Sequence, residues 1–468
     1  MCWKFFFAVI ASSLGSGFQH GYHTGIINVP AEIFQEWIQR LKTERVVGGS
    51  VTAADDVMTI WSTAVAMFPV GGILGGCLTG YFSDRCGRKN SLLLNNLIVI
   101  AALTILSLSK TIDSFELFVF GRFLAGINAG LNCGLCQIYL IEIAPDEIRG
   151  AVGGFYQAVI TTSIMLSQVS SMVFGDKENW HFMFLVAFIP AIFQLFSLPF
   201  CPESPKYLLL NKDEEQAAED ALRWLRGTDD VQEEMETLKA EDNMVKRLHA
   251  FTLKRIFTDG ALKTPLTVCL VLNIGQQLCG INTVVYFSSK TFGDMGFSPN
   301  TAVHLILGIG VAFAVATFIC IAFVDRIGRQ LFLRIGFFGM GLDTVALTIA
   351  LIMTEPKDGS SYMKYFAVMF MFLLVVLFSL GVGPIAWFIT SEIFNHGART
   401  LAVSLTVSAN WFANFLVGQS FLPLQSALGY YIYMVFVVLD CFFYFYTLLH
   451  LPETSKKSAK EIIEMYHY

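Results

Sequence analysis

Long apolar runs alternate with short polar segments along most of the 468-residue chain. About twelve of these runs are long enough to cross a bilayer as a helix, which takes roughly 20 residues. Because unpaired backbone groups cannot face lipid, helices are the spanning structure that such runs predict. We therefore expect an all-α membrane protein with twelve transmembrane helices, at 4–26, 59–80, 91–109, 115–138, 151–172, 182–200, 262–288, 299–323, 332–353, 364–389, 400–421 and 430–450.

The composition agrees with this pattern. Hydrophobic residues make up 54% of the chain and charged residues only 15%, and the mean hydropathy is +0.59. A soluble protein would carry about 25% charged residues. No basic tract indicates a nucleic-acid partner, and we predict no obligate protein partner. We interpret Cys133 and Cys136, which form a C-x-x-C pattern, as helix packing rather than a redox or metal site, and we predict no cofactor.

The distribution of basic residues predicts the orientation in the membrane. An even number of spans puts both termini on one side, and the short loops on that side are rich in Arg and Lys. The positive-inside rule makes that side cytoplasmic. We expect an N-terminal six-helix bundle at 1–202, a cytoplasmic helical linker at 203–261, a C-terminal six-helix bundle at 262–451 and a short cytoplasmic tail at 452–468.

Three motifs of the first bundle recur in the second in the same order. The pairs are Asp84–Lys89 with Asp325–Gln330, Glu142 and Arg149 with Glu392 and Arg399, and Pro202–Ser204 with Pro452–Thr454. Chance supplies one such match but hardly three at matching intervals. Two six-span halves in the same orientation are the parallel repeat of a major facilitator, so we predict that fold.

The charged residues of the repeat predict a gate. Glu and Arg alternate in register in both halves, which the positive-inside rule alone does not require. This alternation is instead expected if ion pairs join the cytoplasmic ends of the two halves and separate when the cytoplasmic side opens. A network of several such pairs can balance two states that differ by a few kcal/mol. The expected gating charges are Arg85, Arg88, Glu142, Arg149, Glu203, Arg326, Arg329, Glu392, Arg399 and Glu453. The alternative is that these charges serve topology only.

Amides at membrane depth predict a site for a neutral, polyhydroxylated ligand. Gln276, Gln277 and Asn282 lie inside the span 262–288. Such groups are costly in a membrane unless they face a cavity or polar partners. An amide donates and accepts hydrogen bonds, which suits a sugar better than an ion. Further polar or aromatic candidates are Gln157 with Ile160 and Ile164 on its helix face, Trp387 after the break Gly381–Pro384, Asn410 and Asn414.

Two histidines near the end of the first span permit a different chemistry. His20 and His23 are three residues apart and would share a helix face. Without further ligands we predict no metal site. A titratable histidine at the end of a membrane helix would also suit proton coupling, and this alternative remains open for His23.

In combination, these motifs resemble the facilitative glucose transporter family, in the sugar-porter branch of the major facilitator superfamily. The residues that carry the resemblance are Gly87–Lys89, Gly121–Phe123, Tyr139–Pro145, Arg149–Gly150, Pro202–Leu208, Gln276–Asn282, Gly383–Ile385, Trp387 and Pro452–Thr454. The resemblance covers essentially the whole chain and implies alternating-access transport of a hexose down its gradient. It also implies a central site with Gln157, Gln276, Gln277, Asn282, Trp387 and Asn410, and with Ile160 and Ile164 as apolar wall.

Several positions depart from the pattern of that family. Ser379 stands where many glucose carriers have an acidic residue, and Phe313 stands where many have an amide. Trp387 favours glucose over fructose, because fructose-selective relatives tend to lose it. Proton-coupled relatives carry an Asp at the position of His23, which favours a uniporter.

We therefore predict a multi-pass plasma-membrane uniporter that carries hexoses, glucose in particular, by facilitated diffusion, and no enzyme activity. Tyr286 and Phe287 are the expected outer gate, where the family has a tyrosine pair. The expected partners are the hexose substrate and the lipid bilayer. The alternatives are a proton-coupled sugar symporter that uses His23 and a non-transporting sugar sensor, against which the short tail after Pro452 argues.

Overall fold

The computed structural model describes residues 2–45, 54–247, 253–354, 362–455, 457 and 459–466. Outside the described residues lie 46–53 of the expected first outward loop, 248–252 of the expected linker, and 456, 458, 467 and 468 of the expected tail. The described part of the chain is helical, without strands.

The first half of the chain forms a bundle of helices, most of them long. They are α1 (Trp3–Gly25), α2 (Ala31–Arg45), α3 (Ala54–Cys86), α4 (Arg88–Thr111), α5 (Phe115–Ile143), α6 (Arg149–Phe174), α7 (Phe182–Val186) and α8 (Phe188–Ser197). The amphipathic segment that follows forms α9 (Pro205–Leu210), α10 (Glu215–Arg226), α11 (Gln232–Arg247) and α12 (Leu253–Thr258).

The second half repeats the arrangement. Its helices are α13 (Gly260–Leu278), α14 (Ile281–Asp294), α15 (Pro299–Ile327), α16 (Arg329–Ile352), α17 (Met363–Ser379), α18 (Val382–Ile393), α19 (His396–Leu428), α20 (Tyr433–His450) and α21 (Ala459–Glu464). Two of the expected spans are broken, 262–288 between α13 and α14 at Gly280, and 364–389 between α17 and α18 at the predicted break Gly381–Pro384. Gly280 in the first break has a φ of +88°, which glycine adopts without steric cost.

In the described residues, ten stretches are long and apolar enough to cross a membrane. The last of these, His396–His450, contains both α19 and α20. The helix α1 is not among them because its buried face is rich in polar residues, which are Ser12, Ser13, Ser16, Gln19, His20 and His23. With α19 and α20 counted separately and α1 included, the described helices fit the expected twelve-span major facilitator fold.

Glycines on α3 let the two halves approach each other. A Cβ at Gly71 or Gly75 would overlap the backbone of α5 within the first half. A Cβ at Gly72 would overlap the ring of Trp411 on α19 in the second half. At Gly80 the backbone N–H donates to Ser404 Oγ of α19 at 2.8 Å. Small residues on α3 therefore serve packing inside one bundle and across the interface between the bundles.

Candidate functional site

The centre of the second half is a network of amide side chains around the break between α13 and α14. Gln276 Nε2 donates to the carbonyl of Gly383 at 2.6 Å, which ties α13 to the start of α18. Asn410 Nδ2 on α19 donates to Gln276 Oε1 at 2.6 Å. Asn410 Oδ1 accepts from Gln277 Nε2 at 2.9 Å, so one asparagine connects both glutamines. All three amides are buried, and each has at least two polar partners.

The break itself positions the next member of the network. Because the helix stops at Leu278, Asn282 turns back, and its Nδ2 donates to the carbonyl and to Oε1 of Gln277 at 3.1 and 2.8 Å. Asn414, one turn after Asn410, donates to the same Oε1 at 2.9 Å. Five predicted site residues of the second half thus lie in one hydrogen-bonded cluster; they are Gln276, Gln277, Asn282, Asn410 and Asn414.

Gln157 and Trp387 connect this cluster to the first half. Trp387 Nε1 on α18 donates to Gln157 Oε1 on α6 at 2.8 Å, and both side chains are buried. The side chain of Gln157 also lies against Gly383, whose carbonyl accepts from Gln276. Ile160 and Ile164 follow on α6, are 5% exposed, and pack against Gly21 and Gly25 of α1. The structure therefore brings the predicted polar site residues of both halves together at the centre.

At one end of the bundle, which we call the charged end, the two halves contain the same ion-pair arrangement. In the first half Arg88 donates two hydrogen bonds to Glu142, at 2.8 and 3.1 Å. In the second half Arg329 donates two to Glu392, at 3.2 and 2.6 Å. All four side chains are buried. Such bidentate buried pairs fix the ends of the helices that carry them.

Two further carboxylates cap helices at the charged end. Glu203 accepts the backbone N–H groups of Arg88 and Lys89 at the start of α4. Glu453 accepts those of Arg329 and Gln330 at the start of α16. A carboxylate at a helix N-terminus satisfies donors that the helix leaves unpaired and complements the helix dipole. Burial raises the pKa of Glu203, and the capping hydrogen bonds oppose that shift.

Contacts between the halves at the charged end centre on Glu142. Its Oε1 accepts from Arg399 Nη1 at 3.3 Å and lies 3.1 Å from His396 Nδ1, both on α19. The other ring nitrogen of His396 is 2.6 Å from Asn211 Oδ1, at the end of α9. Asp325 of the second half accepts the backbone N–H groups of Gly150 and Ala151 at 3.1 and 2.8 Å. The charged end is closed by these contacts.

Some of the predicted gating charges do not join the halves. Arg149 pairs with Asp146, three residues before it, rather than with Glu392. Arg85 lies over the ring of Tyr81 in its own helix, and the side chain of Arg326 is exposed. Sequence reasoning missed His396, Asn211 and the two motif aspartates Asp84 and Asp325. The aspartates begin the repeated segments Asp84–Lys89 and Asp325–Gln330, so the repeat itself could have identified them.

The opposite end is held by a smaller set of contacts. Asn28, just after α1, donates to the carbonyl of Val285 at 3.0 Å and to Ser288 Oγ at 2.9 Å on α14. Tyr286, a predicted gate residue, donates to Asn414 Oδ1 at 3.0 Å and so joins the central cluster. The predicted gate residue Phe287 stacks on Phe421 with ring centroids 5.1 Å apart. Asn28 was not predicted, because a single asparagine after a span has no distinctive pattern.

The two histidines of α1 have different surroundings. Both ring nitrogens of His23 are enclosed and lack a hydrogen-bond partner among the described residues, while its carbonyl accepts from Arg122 at 2.8 Å. His20 lies among the aromatic rings at the centre, with its centroid 4.9 Å from Trp411 and 5.4 Å from Trp387. In the described residues no group of three His, Cys, Asp or Glu side chains is placed to hold a metal ion.

Comparisons with known proteins agree with this architecture. The family model described as "Sugar (and other) transporter" matches residues 7–466. Facilitated glucose transporter member 1 of Gallus gallus is 35% identical over 97% of this chain and 92% of its own length. Facilitated glucose transporter member 3 of Homo sapiens is 34% identical over 97% of this chain and 91% of its own.

A solved structure has the same architecture. The proton:xylose symporter XylE from E. coli, bound to 6-bromo-6-deoxy-D-glucose, superposes with a TM-score of 0.87 at 25% identity and covers 99% of both chains. The match to the family model, the identity to glucose transporters and this superposition all extend over nearly the whole chain. The chain is a multi-pass membrane protein and belongs to the sugar transporter family of the major facilitator superfamily, a family of transporters rather than enzymes.

Proposed function

We propose that the chain is a facilitative hexose uniporter of the plasma membrane, with glucose as its substrate, and that it works by alternating access. The observation that carries the proposal is the cluster of five neutral amides around the α13–α14 break, joined to the first half by the Trp387–Gln157 hydrogen bond. Amides donate and accept at once, as sugar hydroxyls do, and the indole offers a face for the sugar's C–H groups. The relatives named as glucose transporters support the choice of sugar.

The proposed site consists of Gln157, Gln276, Gln277, Asn282, Trp387, Asn410 and Asn414, with Ile160 and Ile164 as apolar wall. In this structure the amides satisfy each other. A bound hexose would take over some of these hydrogen bonds, so that little polar desolvation is left uncompensated. Since Gln157 and Trp387 belong to different halves, a sugar between them would bias how far the halves separate.

The gates follow from the contacts at the two ends. Opening toward one side requires Glu142 to release Arg399 and His396, and Asp325 to release the start of α6. Opening toward the other requires Asn28 to release α14. We place the charged end in the cytoplasm, with both termini, on the positive-inside rule. The proposed division remains two six-helix bundles at 1–202 and 262–451, a linker at 203–261 and a tail at 452–468.

A proton-coupled symporter is the second candidate. His23, with both ring nitrogens enclosed and unpartnered among the described residues, favours it, as does the match to a protein named as a proton:xylose symporter. Asp440 on α20 also lacks a partner for either carboxylate oxygen within the described part of the chain. A symporter would accumulate its sugar when a pH gradient is imposed, whereas a uniporter only equilibrates it.

The test is counterflow of radiolabelled glucose into proteoliposomes of the purified protein, with and without a pH gradient. We expect glucose counterflow that the pH gradient does not change. Accumulation of sugar driven by the gradient would instead support the proton-coupled symporter. If no hexose is transported at all, the non-transporting sugar sensor is the remaining alternative. Gln276→Ala should abolish counterflow or raise the KM at least about tenfold, because several buried amide groups lose a partner. Gln419→Ala, an exposed glutamine of α19, is the matched control and should behave like the wild type.

A further inference from the structure

His20 on α1 is a polar side chain at the centre that the amide cluster does not include. Its ring lies 4.9 Å from Trp411 and 5.4 Å from Trp387, measured between centroids. Trp387 donates to Gln157, and Trp411 directly follows Asn410, so His20 borders the proposed site from the first half. It is the imidazole of α1 that contacts the proposed site, since His23 packs instead against Phe68 and Phe184.

The neighbours of Nδ1 fit an imidazole whose proton lies on the other ring nitrogen, Nε2. Nδ1 of His20 lies 3.3 Å from Cys133 Sγ and 3.4 Å from Tyr156 Oη. Tyr156 Oη donates to Cys133 Sγ at 3.5 Å. With the tyrosine proton directed at the sulfur, the thiol can donate its own proton to Nδ1, and we infer that Nδ1 is the acceptor. A neutral imidazole carries one proton, so it lies on Nε2, which is a donor.

Nε2 has no hydrogen-bond partner among the residues that the structure describes. No residue of the described part of the chain accepts its proton, and it is not among the enclosed unpartnered atoms, in contrast with both nitrogens of His23. His20 keeps 7% of its surface exposed, whereas His23 keeps none. A donor that is oriented by two hydrogen-bonding neighbours and still reaches open space at the centre is placed to meet a ligand.

We propose that His20 is a specificity-determining residue that donates a hydrogen bond from Nε2 to one hydroxyl of the transported hexose. The proposal rests on the hexose transport proposed above and deepens it. The ligand is a neutral sugar with a hydroxyl on the side of the first half, opposite the amides of the second. Cys133 and Tyr156 are positioning residues, which keep the proton on Nε2.

A site that donates to one hydroxyl discriminates against the sugar that lacks it, because the donor is then left without a partner. The discrimination should therefore depend on His20 and should concern a single position of the sugar ring. In the wild type, one of the monodeoxy glucoses should lose about five- to tenfold in apparent affinity through His20. Once His20 cannot donate, removing that hydroxyl should cost nothing further, and the other ring positions should keep their wild-type penalties.

The experiment measures inhibition of glucose counterflow in proteoliposomes by 2-, 3-, 4- and 6-deoxyglucose. It compares the wild type with His20→Phe and His20→Gln, and His304→Phe, an exposed histidine of α15, is the control. We expect His20→Phe to weaken glucose about five- to tenfold and to lose discrimination at one ring position only. His20→Gln restores a donor and should recover part of that discrimination. Cys133→Ala should reduce the discrimination, because Nδ1 then competes for the proton.

Two results would contradict the proposal. One is wild-type discrimination at every ring position in both His20 variants; the other is an equal loss at all positions, which indicates a change of packing rather than a lost hydrogen bond. If His20→Phe does not fold, His20→Met, which also lacks a donor, replaces it in the same comparison. Absence of glucose counterflow in the wild type would refute the proposed transport function, which is a separate outcome from unchanged discrimination.

Discussion

The first and second halves carry the same charged motifs, yet of the two matching glutamates Glu142, and not Glu392, forms an ion pair with the other half in the described residues. Glu142 and Glu392 each hold an arginine from the repeated segment of their own half. Glu142 also meets Arg399 from the other half, whereas Arg149, the counterpart of Arg399, turns to Asp146. The repeat therefore produces the same ion pairs inside each half and different contacts between the halves.

The difference has a visible local cause. Position 396 follows Glu392 by four residues, as Asp146 follows Glu142, so His396 and Asp146 occupy matching places. The acidic side chain of Asp146 pairs with Arg149, which forms no ion pair with Glu392 in the described residues. The imidazole of His396 does not compete for Arg399 and itself reaches Glu142. We infer that this single difference in charge between the repeats decides which glutamate is shared.

Spin labels attached to cysteines introduced at Glu147 and Ile327 would measure how far the two halves are separated at the charged end. Both residues are exposed, and they lie at the charged end of different halves. The exposed Cys77 and Cys441 are first replaced by serine. For each variant, the distribution of label distances then gives the ratio of molecules with an open charged end to molecules with a closed one, which we call the open to closed ratio.

Removing the shared charge should have the largest effect. Glu142→Gln removes the buried carboxylate that Arg399 of the second half shares with Arg88 of the first, and breaking such a buried pair costs about 3–5 kcal/mol. We expect the open to closed ratio to rise more than tenfold. Glu392→Gln should shift it less, because Arg329 keeps a second carboxylate, Asp325, at 2.8 Å. Equal shifts in the two variants would show that the halves do not differ in this way.

The next effect concerns the matching arginines. Arg399→Gln removes a cross-half cation next to a buried carboxylate, so the ratio should rise about tenfold, which corresponds to about 1.4 kcal/mol. Arg149→Gln should change it less than about twofold, since its partner Asp146 is largely exposed and such pairs are weak. A larger shift for Arg149→Gln than for Arg399→Gln would contradict the assignment.

The two motif aspartates, Asp325 and Asp84, should differ in their effect on the open to closed ratio less than the matching arginines do. Asp325→Asn weakens a carboxylate that accepts two N–H groups at the start of α6, and we expect a rise of about threefold to fivefold from the lost charge–dipole interaction. Asp84→Asn should change the ratio less than twofold, because the hydrogen bond of Asp84 to the other half goes to a neutral hydroxyl, that of Thr400, at 3.2 Å. The same label distances check both variants, and the reverse order would be the contrary result.

The smallest expected effect tests the cause of the difference. His396→Gln keeps a side chain that can donate to Glu142, and we expect a change of about twofold at most. His396→Asp instead copies the first half, and it should draw Arg399 away from Glu142 as Asp146 draws Arg149. We expect its ratio to approach that of Arg399→Gln. An unchanged ratio in His396→Asp would mean that position 396 does not decide which glutamate is shared.

Much of the fold could be predicted because apolar length and motif repetition are local properties of the sequence. Spans such as 91–109 lie inside the observed α4, and Gly227 ends α10 in the left-handed conformation that a C-terminal glycine favours. The break at Gly280 was visible as a glycine among amides. Where α7 gives way to α8, at Ala187, the signal in the sequence is Pro190, which cannot donate to the carbonyl of Val186; the predicted span 182–200 took no account of it.

The candidate site was predictable as a set of residue types but not as a set of partners. Gln276, Gln277 and Asn282 stood out because amides are rare at membrane depth. That Asn410 connects both glutamines depends on how α19 packs against α13, which no local pattern encodes. His20 was considered only for metal or proton chemistry, because its aromatic neighbours come from α6, α18 and α19.

The most direct test of the proposed alternating access is the label distance between positions 147 and 327 in proteoliposomes, compared for the wild type and Glu142→Gln, with and without saturating glucose. We predict mainly short distances in the wild type, a shift to long distances in Glu142→Gln, and a change of both distributions by glucose. Distances that neither glucose nor the loss of Glu142 alters would contradict a gate at the charged end that is coupled to a central sugar site.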